Sequence, residues 1–134
     1  MSMNESAVAA CGATIGGVKW LLRCEGLALF VAACALYHLW GGSRWLFVVL
    51  FLAPDLSFLV YLIGAKQGAI IYNAVHTTLV PIVLMGIGSA LAVPLLTSIS
   101  IIWLAHIGLD RALGYGLKYE TGFGFTHLGR IGRT

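Results

Sequence analysis

The chain has 134 residues, of which 60% are hydrophobic and only 10% are charged, and its mean hydropathy is +0.95. Soluble domains usually carry about 25% charged residues, so this composition excludes an ordinary water-soluble protein and predicts a small all-α integral membrane protein. The net charge of +3 comes from scattered basic residues, which gives no reason to expect nucleic acid as a partner.

Four segments contain close to the ~20 apolar residues that are needed to cross the hydrocarbon core of a bilayer. They are expected to form transmembrane helices over about residues 19–40, 44–64, 67–93 and 96–117. We expect these helices to pack as one bundle in a single domain that covers residues 1–134. A short N-terminal segment precedes them, and a basic, glycine-rich C-terminal segment over residues 118–134 follows the fourth.

The basic residues set the expected orientation, because Lys and Arg collect on the cytoplasmic side of membrane proteins. Seven of them fall at one end of the predicted bundle, namely Lys19, Arg23, Lys66, Arg111, Lys118, Arg130 and Arg133. Only Arg44 falls at the other end. The sequence therefore predicts a multi-pass protein of the cytoplasmic (inner) membrane, surrounded by the lipid bilayer, with both termini in the cytoplasm.

Six polar or ionisable residues interrupt the apolar segments, and each costs several kcal/mol in hydrocarbon. They are Glu25, Asp55, Asn73, His76, His106 and Asp110. At about 1.5 Å per residue, Asp55, His76 and His106 each lie near the middle of a predicted helix. Asn73 lies three residues before His76, and Asp110 lies four residues after His106, so each shares the face of its histidine. We expect all six in one inward-facing polar core that leans toward the cytoplasm.

A metal site is one interpretation of this core. Carboxylates and imidazoles at these spacings on facing helices are the ligands with which helix bundles bind metals. His106 and Asp110 present two ligands from one helix face, and Asp55 with His76 completes four. Pro54 is expected to kink the helix beside Asp55 and to free a backbone carbonyl there. Such nitrogen and oxygen ligands suit a divalent metal ion such as Zn, Mn, Fe or Mg.

Two other interpretations stay open. The six residues are also compatible with interhelical hydrogen bonds that hold the bundle together, at about 0.6 kcal/mol each. The same titratable groups suit a proton, ion or substrate path, or haem bound through His76 and His106. A non-enzymatic ion or proton carrier, or a scaffold subunit, is therefore the alternative to an enzyme, and a carrier of this size is expected to form a homo-oligomer.

Three stretches resemble a family of uncharacterised small bacterial four-helix membrane proteins, a domain of unknown function. They are LAPDLSFLVYLIG, GAIIYNAVHTTLVP and WLAHIGLDRALGYGLKYETGFGFTHLGRIG, and the resemblance runs from about Leu22 to Gly132. A four-helix membrane fold is what this resemblance implies.

The same positions are distantly similar to membrane-bound metal-dependent hydrolases. Those proteins carry a Pro-Asp motif, a His-x-x-Thr-His-Ser motif and a Gly-His-x-x-x-Asp motif, in that order. Pro54-Asp55 matches the first, Asn73-Ala-Val-His76-Thr77 partly matches the second, and Ala105-His106 with Asp110 matches the third. Asn73 stands in place of a histidine and Ala105 in place of a glycine. The similarity implies metal ligands at Asp55, His76, His106 and Asp110, with Asn73 as a weaker ligand or an orienting group.

The sequence thus predicts a metal-dependent hydrolase that acts on an amphiphilic or lipid-like ester or phosphoester. Its expected catalytic residues, which include the general base, are Glu25, Asp110 and Asn73. Its expected substrate-binding residues are Arg111, Lys118 and Tyr72, the first two for an anionic head group and the third to orient His76. For Arg111, pairing with Glu25 or contact with lipid head groups are alternatives. His127 could fold back with the C-terminal segment as a cytoplasmic lid.

Overall fold

The structure is a computed structural model that describes residues 12–120 and 123–131, and within these ranges it is an all-α fold with one short hairpin. The five α-helices are α1 (Gly16–Trp40), α2 (Arg44–Phe51), α3 (Ala65–His76), α4 (Leu79–Ala90) and α5 (Pro94–Leu113). A 3₁₀ helix (Ala53–Leu62) follows α2, and the strands are β1 (Phe125–Thr126) and β2 (Gly129–Arg130). The all-α class predicted from composition is confirmed.

Within the described residues, three helices are long and apolar enough to cross a membrane. They are α1, α5 and the continuous stretch of α2 and the 3₁₀ helix, Arg44–Leu62. The pair of α3 and α4 adds a fourth if the two helices cross together as one broken span. The outer surface of the bundle is covered by exposed Leu, Ile, Val and Trp side chains, which suits contact with lipid rather than water. The length and apolar surface of these helices indicate a membrane protein.

Helix α5 lies at the centre of the bundle, and its segment from Leu104 to Gly108 is buried. α1 and α4 both pack along α5, and the 3₁₀ helix packs against α3. The contact between α1 and α5 is unusually close, because a Cβ atom added to Gly108 would lie 2.6 Å from the backbone nitrogen of Phe30. Small residues at such crossings let helix backbones approach each other in membrane proteins. The apolar core beside this crossing consists of Ala33, Tyr37, Ile101, Ile102, Leu104 and Ala105.

The third predicted segment, 67–93, is not one continuous helix. α3 ends at His76 and α4 begins at Leu79, with a bend of 40° between them. Pro81 explains the break, because it has no N–H to donate to the carbonyl of Thr77 and its ring would clash with that carbonyl in an α-helix. Thr77 accordingly leaves the helical conformation, with a ψ of 141°. Pro81 then lies in the first turn of α4, where a missing N–H costs no hydrogen bond.

The second predicted segment, 44–64, changes its helix type at Pro54. An α-helix would require a hydrogen bond from residue 54 to the carbonyl of Leu50, and proline cannot donate it. The backbone tightens instead, and Asp55 N donates to Leu52 O, three residues back, at 3.1 Å. Ser57 Oγ donates to the carbonyl of Pro54 at 2.8 Å. A 3₁₀ run inside a longer helix is uncommon and often lies at a functional position.

The fourth predicted segment, 96–117, ends as a helix at Leu113, where Gly114 adopts a left-handed conformation with a φ of 95°. The described residues that follow, 114–120 and 123–131, are called the tail. The tail turns back onto the bundle and forms an antiparallel hairpin of β1 and β2. Thr14 N and Thr14 Oγ1 donate to the carbonyl of His127 at 2.8 and 3.0 Å. The tail therefore covers the end of the bundle at which α1 begins.

Candidate metal centre

Four side chains from three segments converge inside the bundle. Asp55 comes from the 3₁₀ helix, His76 is the last residue of α3, and His106 and Asp110 lie one turn apart on α5. One ligand atom from each of the four lies within 4.8 Å of all the others. The histidine side chains are almost fully buried, whereas those of Asp110 and Asp55 are 18% and 38% exposed. The group could hold a metal ion that is reached from the carboxylate side.

The spacing of these atoms fits a tetrahedral metal site. His106 Nε2 lies 3.3 Å from Asp55 Oδ1, 3.2 Å from Asp110 Oδ2 and 3.3 Å from His76 Nε2. His76 Nε2 lies 3.7 Å from Asp55 Oδ1 and 3.5 Å from Asp110 Oδ2. Ligand bonds of about 2.0–2.1 Å at tetrahedral angles place neighbouring ligand atoms about 3.3 Å apart. Five of the six distances between the ligand atoms are therefore already close to those of a tetrahedral site with a metal bound.

A hydrogen bond on the far side of His76 fixes which of its ring nitrogens faces the site. Nδ1 lies 2.9 Å from the carbonyl oxygen of Tyr72, which can only accept, so Nδ1 carries the proton. The neutral ring then directs the lone pair of Nε2 at the two carboxylates. That arrangement is repulsive without a cation or an additional proton, and it is the usual orientation of a metal-binding histidine. Tyr72 also stacks on the ring, with centroids 3.8 Å apart.

His106 has a different outer environment. Its Nδ1 atom is buried and has no hydrogen-bond partner among the described residues, and the ring of Phe51 lies edge-on to the imidazole with centroids 5.4 Å apart. The position of Nε2 is therefore set by packing and by the neighbouring carboxylates. A bound cation would interact with Nε2 directly, and this is consistent with the tetrahedral spacing.

The two proline-induced irregularities place half of the ligand set. The 3₁₀ turn after Pro54 directs Asp55 inward, and the break before Pro81 puts His76 at a helix end. Trp103 on α5 stabilises that break, because its indole Nε1 donates to the carbonyl of Val75 at 2.6 Å. No role of Trp103 at the site was predicted from the sequence. Its indole lies deep in an apolar span, and such a group needs a hydrogen-bond partner there, which is the signal that could have identified it.

A cavity of about 320 Å³ leads to the carboxylates. Its lining comes from the 3₁₀ helix, α3, α5 and the tail, and consists of Asp55, Phe58, Tyr72, Asp110, Tyr115, Lys118, Phe123 and Ile131. Half of these residues belong to the tail, so the tail forms the outer wall of the candidate site. The C-terminal segment folds back onto the bundle, as expected from the sequence, but His127 lines a different cavity.

Lys118 is held inside this wall by aromatic rings. Its ammonium lies over the ring of Phe123, at 3.1 Å from the centroid, and near those of Tyr72 and Phe58 at 4.8 and 5.1 Å. Nζ donates to the carbonyl of Phe123 at 2.9 Å. Burial of the side chain lowers the pKa of Lys118 to about 8, against the opposing attraction of Asp110. Lys118 thus places a positive charge at the cavity that contains the carboxylates.

Asn73 forms two hydrogen bonds with the tail. Its Nδ2 donates to Lys118 O at 2.7 Å, and its Oδ1 accepts from Lys118 N at 2.6 Å. These two bonds occupy both ends of the amide. The structure therefore gives Asn73 a positioning contact with the tail, and its role as a weaker ligand or catalytic group stays a prediction.

Replacing Asn73 with alanine should loosen the tail and leave the metal site intact. The change leaves the N–H and carbonyl of Lys118 without their partner, at a cost of roughly 1–3 kcal/mol. Hydrogen exchange of the backbone amides between residues 117 and 128 should therefore become at least about tenfold faster. Ser89→Ala, at an exposed position of α4, is the matched control. Loss of bound metal with unchanged exchange would instead assign Asn73 to the ligands.

Glu25 and Arg111 lie apart from the converging four. Glu25 is exposed on α1, and both residues line a separate cavity together with His127. The expected single core of six residues is thus divided, because the rotation of α1 directs Glu25 away from Asp55. Arg111 and Lys118 likewise line different cavities. Among residues 12–120 and 123–131, no ion pair within 4 Å joins Arg111 to Glu25.

Comparison with known proteins gives a family without an assigned activity. No curated protein and no solved structure matches the chain. One protein family, described as a domain of unknown function (DUF4260), matches residues 19–131. This match includes α2 to α5, all but the first three residues of α1, the four converging residues and the tail. The protein therefore belongs to the DUF4260 family.

Proposed function

We propose that the protein is a metal-dependent hydrolase with four transmembrane spans, the third of which is the broken pair of α3 and α4. The proposed substrate is an amphiphilic or lipid-like ester or phosphoester. The observation that carries the proposal is the convergence of Asp55, His76, His106 and Asp110, with one ligand atom from each within 4.8 Å of the others. The distribution of basic residues supports an inner-membrane location with both termini in the cytoplasm.

The donor set fits a divalent metal, since two imidazoles and two carboxylates suit Zn, Mn or Fe, and Mg less well. Such a metal, when bound, supplies Lewis acidity that activates water and polarises an ester or phosphoester group. Asp55 and Asp110 each present one oxygen to the histidines, so the second oxygen of each stays available as a proton acceptor. Asp110 is the proposed general base, and Asp55 is the carboxylate more accessible from the cavity.

Two cavities support an amphiphilic substrate. The cavity between the carboxylates and the tail has Lys118 in its wall, which suits an anionic group next to the metal ligands. A second, almost entirely apolar cavity of about 240 Å³ is lined by Leu50, Ala53, Pro54, Val75, Ile99 and Trp103. Pro54 and Val75 directly precede Asp55 and His76 in the chain, so this cavity adjoins the candidate site. A hydrocarbon chain in the apolar cavity would place its polar end near the carboxylates.

The test is hydrolysis by protein reconstituted in nanodiscs and loaded in turn with Zn, Mn, Fe or Mg. Long-chain esters and phosphoesters should be cleaved faster than short-chain soluble analogues with the same reacting group. Asp55→Asn and His106→Gln preserve hydrogen bonding but weaken metal binding, so each should reduce the rate at least about 100-fold. His38→Gln, at an exposed position of α1, is the matched control.

Full activity of both variants would contradict a metal-dependent mechanism, because a bundle held only by hydrogen bonds tolerates these changes. A carrier would be favoured by two results together. The metal-loaded wild type cleaves no substrate, and the Asp55→Asn variant loses ion transport although it still binds metal.

A further inference from the structure

The cavity that contains Glu25 and Arg111 is a second polar site, separate from the candidate metal centre. It has a volume of about 170 Å³, which is room for a polar group larger than one water. Its lining comes from α1, the break between α3 and α4, the last turn of α5 and the tail, and consists of Leu22, Glu25, Gly26, Leu29, Thr78, Arg111, His127 and Leu128. None of these residues belongs to the four that converge at the metal centre.

His127 contributes a fixed hydrogen-bond donor to this cavity. Leu117 N donates to His127 Nδ1 at 2.9 Å, so Nδ1 is the acceptor and Nε2 carries the proton of the neutral ring. Burial and the neighbouring Arg111 lower the pKa of His127, which keeps the ring neutral at pH 7. The backbone of His127 is also held, since its N–H donates to Leu117 O at 3.0 Å and its carbonyl accepts from Thr14.

Arg111 and His127 line the same cavity, and both carry groups that can donate to an anion. The guanidinium offers a planar set of donors that matches phosphate oxygens, and the imidazole Nε2–H adds a donor of fixed direction. Thr78, whose hydroxyl can donate or accept, lines the same cavity. Leu22, Leu29 and Leu128 supply apolar surface beside these groups. This combination is typical of a site for a phosphate group attached to an organic molecule.

Glu25 restricts which phosphate compound fits. Glu25 lines the same cavity as Arg111, so a simple phosphate dianion would be attracted by one residue and repelled by the other. A ligand that carries an amine next to its phosphate satisfies both charges, with the phosphate at Arg111 and the amine at Glu25. We propose that the cavity lined by Glu25, Arg111 and His127 binds an ethanolamine phosphate group, either as a phospholipid head group or as the free compound. This site does not depend on metal binding or on hydrolysis.

The test measures binding of free phosphoethanolamine and of inorganic phosphate to detergent-purified protein by isothermal titration calorimetry. Lipid binding is measured in parallel by native mass spectrometry, with phosphatidylethanolamine compared to phosphatidylglycerol. Phosphoethanolamine, free or in the lipid, should bind at least tenfold more tightly than the compound without an amine. Arg111→Gln should reduce binding of the preferred compound at least tenfold, whereas Arg44→Gln, at the exposed start of α2, should not.

Glu25→Gln is the decisive variant, because Glu25 is exposed and its replacement does not disturb a packed core. It should weaken binding of phosphoethanolamine and remove the preference over phosphate or phosphatidylglycerol, while Glu120→Gln leaves both unchanged. Binding of the lipid alone identifies a membrane source for the group, and binding of both forms identifies a site open to the free compound as well. An unchanged preference in Glu25→Gln, or no binding of either form by the wild type, would overturn the proposal.

Discussion

Protein in which His76 is replaced by alanine should copurify with less than about one tenth of the divalent metal bound by the wild type. The variant loses the ligand atom whose lone pair is aimed at the site by the Nδ1 bond to Tyr72. Loss of a partner outside the ligand shell already costs about 10–100-fold in affinity, so loss of a ligand should cost at least as much. Elemental mass spectrometry on detergent-purified protein after reloading with Zn or Mn measures the effect.

Asp110→Ala should give the same loss, because Asp110 Oδ2 lies 3.5 Å and 3.2 Å from the two histidine nitrogens. His38→Ala is the matched control, since His38 is an exposed histidine of α1 that lies outside the converging group. A wild type that takes up no metal after gentle purification and reloading would reject the metal centre. The two histidines and two carboxylates would then form a hydrogen-bonded network with a shared proton.

Gly108→Val should prevent α1 from packing on α5 and destabilise the protein by about 3 kcal/mol or more. A Cβ atom at this position would lie 2.6 Å from Phe30 N and 2.9 Å from Gly26 O. Both are backbone atoms of α1, which cannot move aside without separating the helices, and overpacking of a rigid contact typically costs 1–3 kcal/mol or more. The expected result is a large decrease in the thermal unfolding temperature in detergent, or a failure to fold.

Gly86→Val on α4 separates this steric effect from the difference in helix propensity between glycine and valine. A Cβ atom at Gly86 has no neighbouring atom within 4 Å, so this variant should unfold close to the wild-type temperature. Equal stability of the two variants would show that α1 and α5 do not approach each other as closely as the structure indicates.

The four converging residues could be predicted from the sequence because helix geometry converts residue number into depth. Asp55, His76 and His106 lie near mid-span by counting alone, and the spacing of four places Asp110 on the face of His106. The predicted depth of a side chain depends little on where its helix begins or ends, since an error of two residues moves the side chain by about 3 Å along the helix axis. The metal identity and the substrate do not follow from this geometry.

The position of Glu25 could not be predicted in the same way. Each residue turns an α-helix by about 100°, so a small error in the rotation of α1 moves Glu25 from the core to another face. The position of the tail could not be predicted either, because it depends on hydrogen bonds between Asn73 and Lys118, which are 45 residues apart. No periodic pattern indicates such a contact. The break after His76, in contrast, was accessible from Pro81, whose ring cannot follow a continuous helix.

The indole of Trp103 restricts movement at the bend between α3 and α4. Hinges in proteins move easily when water can replace the backbone hydrogen bonds that are lost, but Val75, at this bend, lines the almost entirely apolar cavity. The carbonyl of Val75 is occupied by Trp103 Nε1 at 2.6 Å, so a change in the angle between α3 and α4 would leave both groups unpaired in an apolar surrounding. The angle between α3 and α4 is therefore held rigidly. His76, at its apex, is held in one direction before any ligand arrives, and little reorganisation is needed when one binds.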